Sequence, residues 1–103
     1  MRERKSRIGE NKEVVIKDGD SIFRCLLTDM SATGISVTIG HFIPTYKQIG
    51  VIMEIQGKKV AMHGSVRWSI DPGAAGDKQG KLGVLIIDPP PEFLEYVKTR
   101  EKK

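Results

Sequence analysis

The chain has little with which to carry out covalent or redox chemistry. Its one cysteine, Cys25, can form no internal disulfide, which fits a reducing compartment. No apolar run approaches the roughly 20 residues needed to cross a bilayer. The opening "MRERKSRIGENKE" lacks the apolar stretch of a signal peptide, so a soluble, cytoplasmic protein without membrane insertion is expected. Neither His41 nor His63 has a cysteine, histidine or carboxylate at metal-ligand spacing. There is no Gly-x-Ser-x-Gly elbow, no Walker-type phosphate loop and no dinucleotide fingerprint, and nothing points to an enzyme. One Trp, two Tyr and three Phe offer few rings for stacking single-stranded nucleic acid. A net charge of +4 favours anionic partners without demanding duplex DNA.

What is present is patterning. The 103 residues, 39% hydrophobic, suffice for one domain with a single core, taken as 1–103. The middle of the chain alternates with period two, the mark of half-buried strands. In "SIFRCLLTD" Phe23, Cys25 and Leu27 share the inward face, with Arg24 and Thr28 outside; Cys25 is then a small core residue. "GISVTIG" repeats the pattern with Ile35, Val37 and Ile39. "HFIPTYKQIG" breaks it and carries Pro44, so it reads as a connection. "VIMEIQ" and "GKKVAMHGSVRWSI" form a hairpin around "QGKK", with Val51, Met53 and Ile55, then Val60, Met62, Val66 and Trp68 on the inward parity. Gly64, also on that parity, marks a bulge or sharp bend, and His63 faces outward. After the glycine-rich "DPGAAGDKQGK", "LGVLIID" reads as the last strand. Beyond the proline run, Phe93, Tyr96 and Val97 fall at i, i+3 and i+4 and predict a short helix over 91–103. About six strands and one terminal helix make an all-β fold, an antiparallel β-barrel with the helix packed on it.

The stretch "TDMSATGISV" supports two readings. Asp29 and Ser31 are residues whose side chains bond nearby amides in turns, and Gly34 adopts backbone conformations others resist. Alternatively, a carboxylate and a hydroxyl at a strand mouth can accept the N1 and N2 hydrogens of a guanine edge while a glycine lets the ring approach. Arginine complements that grip, since its planar fork pairs with guanine O6 and N7 or with a phosphate. Arg2, Arg4 and Arg7 crowd the N-terminal end; Lys98, Arg100, Lys102 and Lys103 at the other end read as a solvated tail. Trp68 is read either as a core or rim residue or, at its strand end, as a stacking surface for a base.

Taken in order, Arg7, "DMSATG" from Asp29, "GSVRW", "KLGVLIID" and the final helix resemble a PilZ domain over nearly the whole chain. The resemblance implies a six-stranded antiparallel barrel and a receptor for the bacterial second messenger cyclic di-GMP, with no other cofactor and no metal. It implies that Asp29 and Ser31 meet a guanine and that Gly34 permits its close approach. The family's second motif, Arg-x-x-x-Arg before the first strand, is met at Arg7. Four residues earlier stands Glu3, and neighbouring Arg4 or Arg2 is expected to serve in its place. Trp68 is a weaker candidate, because the corresponding aromatic lies near the ligand in some PilZ domains. The implied action is that a flexible loop, 1–12, orders over the barrel when nucleotide binds and signals to a protein partner or output domain in motility, biofilm or pilus regulation. The alternative on the same fold is an adaptor that works through protein contacts without nucleotide, and Glu3 is its support.

Overall fold

A computed structural model of the chain describes residues 12–73 and 79–101. Six strands run β1 Glu13–Asp18, β2 Ser21–Met30, β3 Gly34–Ile39, β4 Gln48–Ile55, β5 Lys58–Ile70 and β6 Gly80–Ile87, followed by the helix α1 Pro91–Glu101. They close into a barrel in the order β1-β2-β3-β6-β5-β4, every neighbouring pair antiparallel. Closure leaves no free sheet edge.

The barrel is filled by the residues that period-two patterning assigns to it. Cys25 and Leu27, Ile35, Val37 and Ile39, Val51, Met53 and Ile55, and Met62 and Val66 are all buried, with Phe23 and Val60 packed partly against them. No polar or charged side chain is buried among the described residues, so the interior coheres by apolar burial alone. The Cys25 thiol is pushed up to about 11, first by burial and second by the charge of Glu13. The β4–β5 turn is built on Gln56 at φ 52° and Gly57 at φ 82°, the paired positive φ that suits the twist of a two-residue hairpin.

Helix α1 begins at Pro91, whose fixed φ suits a first helical position and whose missing N–H costs nothing there. Phe93 and Val97 are fully buried and Tyr96 nearly so, and the helix lies against Ile55 and Lys58 at the β4–β5 turn. The Lys12 ammonium sits 5.3 Å from the Tyr96 ring centre, which brings the start of β1 and the helix to the same end of the barrel.

The structure departs from the expectations at four points. Glu13–Asp18 is a strand that alternation does not mark, because Val15, between the buried Val14 and Ile16, is apolar as well. The connection spans 40–47 and not the whole of "HFIPTYKQIG": β4 starts at Gln48, and Ile49 is already buried in step with Val51. Gly64 holds regular register with Ile49 and Ile86 and marks no bulge; glycine is needed there for room, since a Cβ would run into the Val84 side chain. Trp68 is not an inward residue, with 43% of its surface exposed. The reason, a bulge one residue before it, also builds the site.

A candidate nucleotide-binding cleft

Uninterrupted alternation would carry the inward face of β2 from Leu27 to Asp29, and that of β5 from Val66 to Trp68. In both strands one extra residue intervenes. β2 pairs Leu27 with Val37 and then Asp29 with Ser36, so Thr28 is supernumerary, and its hydroxyl donates to the Ser36 carbonyl at 3.1 Å. β5 pairs Val66 with Val84 and then Trp68 with Gly83, so Arg67 is supernumerary. A bulge switches which residues face outward beyond it. Asp29 thus comes to the outer wall, Met30 takes the buried position after it, and Arg67 and Trp68 are both exposed.

The two bulges flank the β3–β6 pair, and the registers align one row across four strands: Asp29, Ser36, Gly83 and Trp68. Gly83 faces outward yet is buried, because the Trp68 indole lies over it; a Cβ at Gly83 would sit inside that ring. The row thus offers an acid, a hydroxyl and a flat aromatic surface laid over a glycine in succession.

At the end of β2 the chain turns through a two-residue loop. The Ser31 N–H donates to the Gly34 carbonyl at 2.8 Å and the Gly34 N–H returns to the Ser31 carbonyl at 3.3 Å. Ser31 Oγ accepts from the Thr33 N–H at 3.3 Å and lies 3.2 Å from the Thr33 hydroxyl, while Asp29 Oδ1 accepts from the Met30 N–H at 3.0 Å. The turn reading of these residues is therefore correct, and it does not exhaust them. A hydroxyl keeps acceptor capacity after these bonds, and Asp29 Oδ2 has no partner among the described residues. Gly34 is required for room and not for a left-handed φ: a Cβ there would collide with the Val84 carbonyl of β6.

These elements enclose a cleft of about 260 Å³ whose walls include Asp29, Ser31, Gly34, Ser36, Arg67 and Trp68. Four of the expected site residues, Asp29, Ser31, Gly34 and Trp68, are thus together. Arg2, Arg4 and Arg7 lie outside the described residues. Sequence reasoning missed Ser36, Arg67 and Gly83. The available signal was Gly83 itself, a glycine at an outward position in an otherwise apolar strand, which marks close approach of another group. Asp29 and Arg67 are the cleft's two charged residues, and Arg67 makes no ion pair among the described residues. The described residues hold no cluster of His, Cys, Asp and Glu able to bind a metal ion, and no helix among them is long and apolar enough to cross a membrane.

A six-stranded closed antiparallel barrel with one short C-terminal helix and an acid-hydroxyl-glycine turn at its rim defines a class of small domains. The chain belongs to the PilZ domain family, whose model matches residues 1–98. No curated protein matches it in sequence. Among solved structures it is similar to the inhibitor of motility MotI/DgrA of Bacillus subtilis, with a TM-score of 0.71, 17% identity, and coverage of 96% of this chain and 49% of that one. It is also similar to PlzA of Borreliella burgdorferi, solved in complex with c-di-GMP, with a TM-score of 0.65, 18% identity, and coverage of 96% and 36%. The chain therefore spans about half the length of the first and about a third of the second.

Proposed function

We propose that this PilZ domain is a receptor for cyclic di-GMP, without enzymatic activity, acting as one unit over 1–103. The observation that carries the reading is that Asp29, Ser31, Gly34 and Trp68 line one cleft. Asp29 and Ser31 accept the N1 and N2 hydrogens of a guanine, the flat Trp68–Gly83 surface receives the ring, and arginines from the N-terminal segment take the phosphates.

Where the chain enters the barrel supports the last step. The Lys12 carbonyl accepts from the Leu27 N–H at 2.8 Å, and Leu27 precedes Asp29 by two positions. The five residues from Lys12 back to Arg7 reach at most ~17 Å, enough to bring Arg7 over the cleft. Arg4 or Arg2 then supplies the second guanidinium, Glu3 standing at the intervening position. Closing this segment over the bound nucleotide is the signal, passed to a protein partner or an output domain in motility, biofilm or pilus regulation.

The test is a titration with cyclic di-GMP beside GTP and cyclic AMP. Trp68 is the chain's one tryptophan, so its fluorescence reports from the cleft itself. Selective binding of cyclic di-GMP is expected, lost in Asp29→Ala and Arg7→Ala while circular dichroism is unchanged. Wild-type affinity in Asp29→Ala would overturn the site. Glu3 favours a second reading, an adaptor that binds a protein and no nucleotide, and absence of binding by the intact chain would select it.

A further inference from the structure

The geometry points to Arg67 as the residue that reads the far edge of the guanine and sets the preference for guanine over adenine, an inference that rests on the receptor reading above. Arg67 is the cleft's one cation among the described residues, it is exposed, and it has no ion-pair partner there to give up. It is the extra residue of the β5 bulge, inserted directly before the Trp68 whose ring covers Gly83. The bulge thus delivers an aromatic face and a guanidinium side by side.

The opposite wall carries Asp29 on β2, three strand spacings away, or about 14 Å between backbones. A guanine whose N1 and N2 hydrogens point at Asp29 and Ser31 turns its O6 and N7 toward β5. The long side chain of Arg67 spans the remaining distance, and its fork matches O6 and N7 with two parallel N–H donors. Adenine has an amino group where guanine has O6, so it sets donor against donor and forfeits one bond of the pair. Guanine is then held at both edges by complementary groups of the barrel itself, independently of the arginines that take the phosphates.

The test compares wild type, Arg67→Ala and Arg67→Lys, each titrated by calorimetry with cyclic di-GMP and cyclic di-AMP. Arg67→Ala is expected to weaken cyclic di-GMP binding about 5- to 100-fold and cyclic di-AMP binding far less, so that the preference for guanine shrinks. Arg67→Lys does not restore it, because an ammonium is a point charge without the planar fork. Full rescue by lysine, or equal weakening toward both dinucleotides, assigns Arg67 to a phosphate and overturns the inference. Unchanged affinity in Arg67→Ala overturns it too, leaving the receptor reading intact. Failure of the wild-type protein to bind either dinucleotide overturns the receptor reading and this inference with it.

Discussion

The two outer walls of the barrel are built from the same material to different ends. The wall of β1, β4 and β5 is regular: Lys17, Gly50 and His63 align in one row and Val15, Ile52 and Ala61 in the next, with no register shift. It too has an outward glycine, Gly50, where a Cβ would meet only Lys17 at ordinary contact distance, and its groove, lined by Lys17, Gly50, Ile52 and His63, is larger, at about 420 Å³ against about 260 Å³ for the cleft. On the β3–β6 side the register is broken twice, and there an acid, three hydroxyls, a guanidinium and an indole converge. Unbroken alternation sends inward-parity residues to the core and leaves outside only what faces water anyway. A bulge releases a residue from that rule. What distinguishes the cleft is not its volume but the two places where one strand carries a residue its neighbour does not match.

The comparison breaks most severely if the interior position that follows the β2 bulge is given a charge. Met30→Asp sets an unpaired carboxylate into the apolar interior at the position that the β2 bulge turns inward, where it costs several kcal/mol of a total stability of roughly 5–15 kcal/mol. Thermal denaturation is expected to show Met30→Asp unfolded or lowered by more than about 10 °C. Thr28→Ala, which keeps the bulge and loses one hydrogen bond, costs about 1 kcal/mol. A Met30→Asp variant as stable as Thr28→Ala would show that the bulge does not turn Met30 inward and Asp29 outward.

The half of β2 before the bulge offers a second measurement. The Cys25 thiol is raised to about 11 in the fold against an ordinary 9.0. The folded state thus holds its proton where the unfolded state releases it. This contribution is complete below pH 9 and is lost as pH rises toward 11, a fall of roughly 2–3 kcal/mol. Denaturant midpoints across that window are expected to drop more steeply in wild type than in Cys25→Val. Identical slopes would mean the thiol is open to water and the regular half of β2 less enclosed than its burial indicates.

The smallest effect belongs to the regular wall. His63 Nε2 lies 2.6 Å from Gln48 Oε1 on the exposed surface. His63→Ala is expected to shift stability by no more than about 0.5 kcal/mol and to leave nucleotide affinity unaltered. A loss of affinity there would place ligand on the wrong wall and erase the contrast.

Much of the architecture was legible residue by residue. Period two marked Cys25, Leu27, Val37, Val51, Met53 and Val66 as interior, and the i, i+3, i+4 spacing marked Phe93, Tyr96 and Val97 as the buried face of a helix. Asp29, Ser31 and Gly34 were visible as a turn with spare polar groups, which hydrogen bonding within the loop bears out. Trp68 was misread because parity was counted straight through Arg67. Gly64 was misread because a missing side chain can mean either an irregular backbone or a crowded neighbour, and only the position of Val84 decides between them.

By itself the sequence determined which residues are apolar and at what period, and so the barrel, its core and the helix that packs on it; these follow from local spacing, which each segment carries independently of the others. Only the tertiary structure decided that Asp29 and Trp68 face outward on one row with Ser36 and Gly83 between them. A bulge is a mismatch between two paired strands, and no strand read alone contains the count of its partner.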